Sequence, residues 1–317
     1  MQNLYSLIHQ AEKRIRPYIR ETPLEYSYSL SAETGCEVYL KMENIQVTGS
    51  FKARGSMNKI LSLKNPSRGI VTASTGNHGL GVAHALSVTG MKGTIFLPTT
   101  ASAAKVEAIK QRGGQVAFHG DSGEITERYA RQLAGDTNQV YVSPYNDIDV
   151  IAGQGTIGVE LYKQMPDLDA VLVAIGGGGL VSGIASHLKF VKPDIKIIGC
   201  LPAHAPVMYE CIKAGKVIDV PELPTLSDGT AGGIDHDAMT FDICKQLIDD
   251  YILTSEEEIL KAMRLVLKQH HLVIEGSAGV AVAALLQQRG KFKGKKVAII
   301  LCGGNVSEAI LKQVVCT

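Results

Sequence analysis

The chain has 317 residues, of which 45% are hydrophobic and 20% are charged, and its formal net charge is +1. A chain of this length can bury a large core and is expected to form two domains. Because the net charge is near zero and no run of lysine or arginine occurs, nucleic acid and anionic membranes are disfavoured as main partners.

The sequence predicts a cytoplasmic protein. Charged residues between positions 12 and 16 interrupt the first helix, so residues 1–20 lack the apolar core of a signal peptide. The weakly polar run 170–185 contains five glycines and is too short to span a bilayer. The six cysteines form no C-x-x-C pair, which indicates reduced thiols.

In chain order, apolar spacing predicts a helix over 3–16 that Pro17 ends, and alternation predicts a strand over 37–42. A glycine-bearing turn at 48–55 then leads into a predicted helix that runs to about Lys64. We predict Ser50 as its N-cap, which places Lys52 in the first turn, where unpaired N–H groups lower the pKa of a lysine. A neutral amine suits carbonyl and Schiff-base chemistry, although a plain surface lysine is the alternative.

Strands and helices alternate regularly in the rest of the chain. The short apolar strands show no polar alternation, which is typical of parallel sheets covered by helices. The sequence therefore predicts an α/β fold with two open, mainly parallel twisted sheets and helices on both faces. We place a small domain at 67–146, inserted into a large domain of 1–62 and 147–317, and an irregular loop at 203–236. Strands are predicted at 69–74, 93–97, 115–118, 140–142, 170–175, 196–200 and 296–301, and helices at 155–164, 180–190, 240–249, 256–269 and 275–288.

Two glycine-containing turns follow predicted strands, where open α/β sheets bind ligands. Residues 74–79, Ser-Thr-Gly-Asn-His-Gly, offer N–H groups, hydroxyls and an amide that suit a carboxylate, or they only start a helix. The four glycines at 176–179 favour close approach of backbone N–H groups to a phosphate. A dinucleotide site is the competitor, but G-x-G-x-x-G does not fit and the next strand ends without a ribose-binding acid.

Two further stretches lie at the same predicted sheet edge. Cys302 follows the last strand and could simply be a small buried residue. Glu275 stands at a helix start, which favours a carboxylate even without another task. A lysine nucleophile, a phosphate cradle and a carboxylate-binding turn together suit pyridoxal phosphate acting on an amino acid.

The stretches 50–55, 75–79, 176–179 and 302–305 resemble those of the serine/threonine dehydratase and serine racemase family, over nearly the whole chain and in the same order. That family consists of fold type II pyridoxal phosphate enzymes with the tryptophan synthase β-like fold, and it implies a homodimer. The resemblance assigns the Schiff base and catalysis to Lys52, with Thr75 as a second catalytic residue. It assigns cofactor binding to Phe51, Lys52, Asn77, Gly176, Gly177, Gly178, Gly179, Leu180, Glu275 and Cys302, and substrate binding to Ser74, Thr75, Gly76, Asn77, His78 and Tyr145.

The resemblance implies β-elimination of a β-hydroxy amino acid, L-threonine or L-serine, to a 2-oxo acid and ammonia. Residues 74–78 and 225–233 look closer to a dehydratase branch linked to hydroxyectoine breakdown, which adds threo-3-hydroxyaspartate as a substrate. Serine racemase and a non-catalytic cofactor-binding or amino-acid-binding protein remain alternatives, and a nicotinamide oxidoreductase is the weakest.

Three departures from the family pattern change the expectations. Thr75 replaces the serine that acts as a base in racemase-like members, which disfavours racemisation. The acidic residues of the family's cation site correspond to Leu201 and Val207, so no metal is expected there. Because the chain ends at Thr317, a C-terminal regulatory domain is not expected either.

Overall fold

The computed structural model describes residues 2–65 and 67–316. Within them, the sequence forms thirteen α-helices and ten strands, with short 3-10 helices at Arg16–Tyr18 and Glu43–Ile45. The helices are α1 Gln2–Ile15, α2 Tyr28–Thr34, α3 Lys52–Ser62, α4 Asn77–Thr89, α5 Ala103–Gln111, α6 Gly123–Asp136, α7 Ile148–Gln164, α8 Gly179–Val191, α9 Val207–Ala214, α10 Met239–Leu247, α11 Glu256–His270, α12 Gly276–Gln287 and α13 Glu308–Cys316. The strands are β1 Leu24–Tyr26, β2 Glu37–Lys41, β3 Ile70–Ala73, β4 Gly93–Leu97, β5 Gln115–Phe118, β6 Val140–Tyr141, β7 Ala170–Ala174, β8 Lys196–Pro202, β9 Asp250–Thr254 and β10 Lys296–Ile300.

The strands form two sheets, as predicted. A six-stranded sheet has the order β1-β2-β10-β7-β8-β9, and a four-stranded sheet has the order β5-β4-β3-β6. All neighbours pair in parallel except the edge strand β1, which is antiparallel to β2. The four-stranded sheet is built between residues 70 and 141 and the other sheet from the flanking segments. The exact domain boundaries stay a prediction.

Central strands are covered on both faces. Every residue of β7 and of β3 is buried. Because alternate side chains of a strand point to opposite faces, complete burial requires cover on both sides. Helices α8 and α12 pack against β7, and α4 and α6 pack against β3. This explains why the strands read as apolar runs without alternation.

Lys52 lies in the first turn of helix α3, as predicted, but the prediction that Ser50 caps this helix is wrong. Phe51 occupies the N-cap with helical backbone angles, φ −56° and ψ −21°, and no side chain caps the helix. Ser50 instead forms an extended bridge with Gly303, and the Phe51 N–H donates to the Cys302 carbonyl at 3.0 Å. The backbone before Lys52 is thus tied to the end of β10.

A buried cluster of ion pairs anchors α3 through Arg54. The fully buried Arg54 guanidinium donates to both oxygens of Glu43, at 2.8 and 2.7 Å, and to both oxygens of Glu160, at 2.7 and 2.9 Å. The ammonium of Lys41 lies 2.5 Å from Glu160. Buried charges are tolerated when they are paired and fully hydrogen-bonded, as here. The cluster fixes the helix two residues after Lys52.

Other described features bear on the sequence predictions. The region 203–236, predicted as irregular, contains helix α9, and strand β9 was not predicted at all. All six cysteines are free, five of them buried, which agrees with reduced thiols. In the part of the chain that the structure covers, no helix combines the length and apolarity needed to cross a membrane.

Candidate active site

Four polar segments meet where the two sheets face each other. Residues 74–79 follow β3, the glycines follow β7, residues 302–305 follow β10, and Lys52 opens α3. Parallel strands of one sheet present their carboxyl ends at one edge, which places the segments after β7 and β10 at the same edge of the six-stranded sheet. The bridge between Ser50 and Gly303, together with the 2.9 Å bond from Gly304 N to the Gly49 carbonyl, joins the lysine loop to the last strand.

The Lys52 amine is buried and hydrogen-bonded within the protein rather than solvated. Its Nζ donates to the carbonyl oxygen of Pro144 at 2.7 Å and lies 5.2 Å from the centre of the Phe51 ring. Burial lowers the pKa of Lys52 to about 8, so a substantial neutral fraction exists near neutral pH. The sequence predicted a lowered pKa from the helix N-terminus, whereas burial is the main cause in the folded chain.

The glycine tetrad forms an open cradle at the start of α8. Gly178 is the N-cap with φ +84°, a conformation that suits glycine, and within the described chain no side chain caps this helix. The first-turn N–H groups of α8 are therefore available to an anion. A Cβ at Gly176 would lie 2.8 Å from the Thr230 backbone, and one at Gly177 would lie 2.4 Å from the Tyr145 ring.

We expect Gly177→Ala to weaken phosphate-dependent cofactor binding at least about tenfold, because the added methyl must displace the Tyr145 ring from the cradle. Equilibrium titration of the apoenzyme with pyridoxal phosphate measures this. Gly290→Ala is the matched control, since a Cβ there meets nothing within 4 Å and should leave the affinity unchanged. Unchanged affinity in Gly177→Ala would contradict the cradle.

The turn at 74–79 also leaves a helix start open. Helix α4 has Gly76 as its N-cap without a capping side chain, so neither Ser74 nor Thr75 caps it. Ser74 Oγ accepts from the Gly76 N–H at 3.2 Å, and a Cβ on Gly76 would face open space. Of the two sequence hypotheses, this geometry favours a carboxylate site over a plain helix cap. Thr75 is half-buried within the same turn.

The His78 ring is buried and hydrogen-bonded to the backbone. The buried ring places Nε2 at 2.9 Å from the Val142 carbonyl, behind the turn. Burial lowers the pKa of His78 to about 3, so the imidazole is neutral. The part that His78 plays in substrate binding stays a prediction.

The Glu275 carboxylate lies at the start of α12 and also accepts a hydrogen bond from another predicted site residue. Its buried carboxylate accepts from Asn77 Nδ2, which lies 2.9 Å from each oxygen. Burial raises the pKa of Glu275 to about 7. The Cys302 thiol lies 4.0 Å from the same carboxylate, and burial raises the pKa of this thiol well above its ordinary value. Glu275, Asn77 and Cys302 thus form one contact group.

Tyr145 lies on the cradle. Its ring packs against Gly177, and its hydroxyl accepts from the Asp235 N–H at 2.7 Å. Its predicted contact with a substrate side chain stays a prediction. Leu180, the last residue of the predicted phosphate loop, is buried in the first turn of α8.

Sequence reasoning gave no role to Asn305, to Thr240 or to the hydroxyl group cluster of Ser227, Thr230 and Ser277. Asn305 Nδ2 donates to Asn77 Oδ1 at 2.7 Å, and Thr240 Oγ1 donates to the Gly177 carbonyl at 2.7 Å. Ser227 Oγ lies 2.6 Å from Thr230 Oγ1 and 3.2 Å from Ser277 Oγ. The position of Asn305 just after a sheet edge was the available signal, whereas the other contacts depend on the long loop's path.

The residues present fit pyridoxal phosphate. Uncapped N–H groups suit its phosphate, the amine of Lys52 suits its aldehyde, and Asn77 offers a donor for its ring oxygen. A buried neutral thiol at Cys302 suits a ring nitrogen that is not kept protonated. Among residues 2–65 and 67–316, no group of three or more His, Cys, Asp or Glu side chains could hold a metal ion.

Comparison with known proteins identifies relatives over nearly the whole chain. The family described as pyridoxal-phosphate dependent enzyme matches residues 15–303. L-threonine ammonia-lyase of Thermotoga maritima is 40% identical over 310 residues, which cover 97% of this chain and 77% of the relative. This confirms the resemblance drawn from the sequence motifs.

Solved structures agree with the sequence relatives. Maize serine racemase superposes with a TM-score of 0.91 and 34% identity, covering 97% of this chain and 95% of that one. The processed form of threonine deaminase isoform 2 from Solanum lycopersicum gives a TM-score of 0.94 and 32% identity, covering 99% and 87%. The chain therefore belongs to the pyridoxal-phosphate dependent enzyme family, has that family's fold type II architecture and uses pyridoxal phosphate as its cofactor.

Proposed function

We propose that this enzyme is an ammonia-lyase that converts a β-hydroxy amino acid, L-threonine or L-serine first, to a 2-oxo acid and ammonia by β-elimination. The observation that carries the proposal is a lysine of lowered pKa, Lys52, beside both an open anion cradle and an open carboxylate turn. The similarity to L-threonine ammonia-lyase over 97% of the chain supports it.

Different residues of the chain would bind different parts of the cofactor. Lys52 would hold the cofactor covalently, Phe51 would flank it, and the N–H groups of Gly176, Gly177, Gly178, Gly179 and Leu180 would hold its phosphate. Asn77 would donate to the ring oxygen, and Cys302 and Glu275 would lie near the ring. When bound, pyridoxal phosphate supplies an aldehyde for the substrate amine and a conjugated ring that withdraws electrons from Cα.

The open turn would orient the substrate. Ser74, Thr75 and the backbone of Gly76, Asn77 and His78 would bind the substrate carboxylate at the uncapped start of α4. Fixing the carboxylate leaves the Cα–H bond within reach of one lysine rather than free to rotate. Orientation of this kind contributes to rate without changing the chemistry.

Lys52 would then move the proton. Once the substrate amine has taken its place, the neutral Nζ accepts the Cα proton. The electron pair of the broken C–H bond forms the Cα–Cβ double bond, and the β-hydroxyl leaves as water after taking up a proton. The released enamine tautomerises and is hydrolysed to the 2-oxo acid and ammonia, which balances the reaction without an external oxidant.

The pKa of Lys52 predicts a pH dependence that the apoenzyme can report. Only the neutral amine attacks an aldehyde, and burial places the pKa of Lys52 at about 8. The rate of reconstitution with pyridoxal phosphate should therefore rise about tenfold per pH unit below that value and level off above it. Stopped-flow absorbance measures the rate. A profile that continues to rise to pH 10 would indicate an ordinary, solvated lysine.

Threonine and serine rank first among the candidate substrates because the relatives of this chain include L-threonine ammonia-lyase. The alternative substrate threo-3-hydroxyaspartate follows them. We rank racemisation after elimination because Thr75 stands at the position of the racemase serine.

The proposal is tested by 2-oxo acid formation from purified holoenzyme with L- and D-serine, L- and D-threonine and threo-3-hydroxyaspartate. Rapid product from L-threonine or L-serine is expected. Chiral analysis of the remaining serine detects racemisation in the same samples. If no substrate yields product while the cofactor band is present, the elimination activity is refuted.

Homodimeric assembly and a cytoplasmic location are further proposals. They are supported by the resemblance to the dehydratase and racemase family and by the free cysteines. Sedimentation equilibrium of the holoenzyme tests the dimer, and a monomer at all concentrations would refute it.

A further inference from the structure

Both ends of the Asn77 amide are hydrogen-bonded to residues on the side of the six-stranded sheet. Its Oδ1 accepts from Asn305 Nδ2 at 2.7 Å, and its Nδ2 lies 2.9 Å from each oxygen of Glu275. Asn77 opens α4, which follows the four-stranded sheet, whereas Glu275 and Asn305 flank α12 and β10 on the six-stranded side. These contacts join the two sheets at the site.

The Thr48 carbonyl determines how the side-chain amides of Asn305 and Asn77 are oriented. Asn305 Nδ2 also donates to the Thr48 carbonyl at 2.9 Å, and a carbonyl oxygen can only accept. The nitrogen end of Asn305 must therefore face Thr48 and Asn77. This forces the oxygen end of Asn77 toward Asn305 and its nitrogen end toward Glu275.

The lysine loop is shaped around Asn305. Gly49 has φ +75°, and a Cβ there would lie 2.6 Å from Asn305 Oδ1. The adjacent Gly304 donates to the Gly49 carbonyl at 2.9 Å. The Asn305 side chain, although exposed, is thus seated by the loop that leads into Lys52.

We propose that Asn305 is a positioning residue: through Asn77, it ensures that an N–H donor rather than a carbonyl oxygen is presented to the ring oxygen of the bound cofactor. This inference rests on the cofactor-binding role proposed for Asn77. Asn305 itself need not touch the cofactor. Glu275 completes the arrangement by accepting at the nitrogen end of the same amide.

The orientation has a spectroscopic consequence. A donor at the ring oxygen stabilises its anionic form, which absorbs at longer wavelength when the cofactor is joined to Lys52. An amide oxygen in the same place would repel that anion. If Asn305 no longer fixes the orientation of the Asn77 amide, a larger fraction of the bound cofactor should therefore be in the neutral form, which absorbs at shorter wavelength.

Asn305→Ala and Asn305→Asp separate positioning from simple structural support. Alanine removes the donor and leaves Asn77 free to turn. Aspartate places an acceptor against Asn77 Oδ1 and so favours the turned amide, with its nitrogen toward residue 305. We expect the ratio of long- to short-wavelength absorbance of the holoenzyme to fall about threefold in Asn305→Ala and about tenfold in Asn305→Asp, following the strength of a charge-assisted hydrogen bond.

The measurement uses absorbance spectra of the purified holoenzymes at fixed pH, with cofactor affinity and thermal unfolding recorded on the same samples. Asn65→Ala, an exposed asparagine whose side chain contacts only Ser67 among the contacts described, is the matched control and should keep the wild-type spectrum. A fall in the order wild type, alanine, aspartate supports the proposal. Equal spectra in all three with lower unfolding temperatures would show a structural role and overturn it.

The outcome is separable from failure of the proposed function. If wild-type protein forms no Lys52-dependent visible band, the cofactor assignment of Lys52 fails and this inference fails with it. If the wild-type band forms and the Asn305 variants keep its ratio, only the positioning role fails.

Discussion

Lys52→Ala is expected to abolish 2-oxo acid formation, with a loss in kcat of about 10⁴-fold or more. The change removes both the covalent anchor of the cofactor and the base that takes the Cα proton, and a positioned base alone contributes about 10²- to 10⁴-fold. The visible Schiff-base band should disappear as well. Spectrophotometric detection of 2-oxo acid and an absorbance spectrum of the reconstituted protein measure the two effects.

Lys59→Ala is the matched control in the same helix. The Lys59 ammonium pairs with Asp147 at 2.6 Å, so its loss should cost stability without removing the band or the activity. Retained activity in Lys52→Ala, or loss of the band in Lys59→Ala as well, would contradict the assignment of the reactive lysine.

Glu160→Ala is expected to lower the free energy of unfolding by about 3–5 kcal/mol. The change leaves the buried cations of Arg54 and Lys41 without one of their acceptors, and an unpaired buried charge costs more than the pair contributes. Urea unfolding followed by circular dichroism measures the change. Glu257→Ala, which loses only an exposed pair with Lys261, should leave the free energy of unfolding almost unchanged.

The same cluster gives the stability a defined pH dependence. Burial alone would raise the pKa of Glu160, but Arg54 and Lys41 lower it from the ordinary 4.5 to about 2. Because the folded-state pKa is the lower one, this stabilisation is present above about pH 4.5 and is lost as the pH falls toward 2. Glu160→Ala should therefore be less sensitive to acid in that window than the wild-type protein. Equal losses in both would show that Glu160 is not the titrating group.

Much of the architecture could be read from the sequence because buried parallel strands leave a simple pattern. Runs such as 93–97 and 170–175 are mainly apolar and short, and the structure gives strands at 93–97 and 170–174. The placement of Lys52 in the first turn of α3 was also correct. The predicted cap of this helix was not, because the backbone of Ser50 pairs with Gly303, which is distant in sequence. Such a long-range pair leaves no local signal.

The irregular prediction for 203–236 failed for a different reason. Pro206 lies at the start of α9, where proline is well tolerated, and Gly215 has the positive φ typical of a residue that ends a helix. Both signals for α9 were therefore present in the sequence. The edge strand β9 was missed because the preceding helix was predicted to extend to residue 249, next to the first residue of the strand, whereas α10 ends at Leu247.

At the candidate site, too, some residues could be predicted from the sequence and their long-range contacts could not. Lys52 and the glycine tetrad could be predicted because their chemistry depends on local backbone geometry. The contacts of Asn77 with Glu275 and Asn305 join residues 198 and 228 positions apart, so the sequence could supply the candidates but not their pairing. The two buried carboxylates that bind Arg54, those of Glu43 and Glu160, likewise come from two distant segments of the chain.

The most direct test of the account is to identify which lysine carries the cofactor. Borohydride reduction of the holoenzyme converts the Schiff base to a stable amine, and peptide mass spectrometry then locates the added pyridoxyl group. The account predicts a single modified peptide, labelled at Lys52, that is absent from Lys52→Ala. Labelling at another lysine, or none in a protein that forms 2-oxo acid, would contradict it.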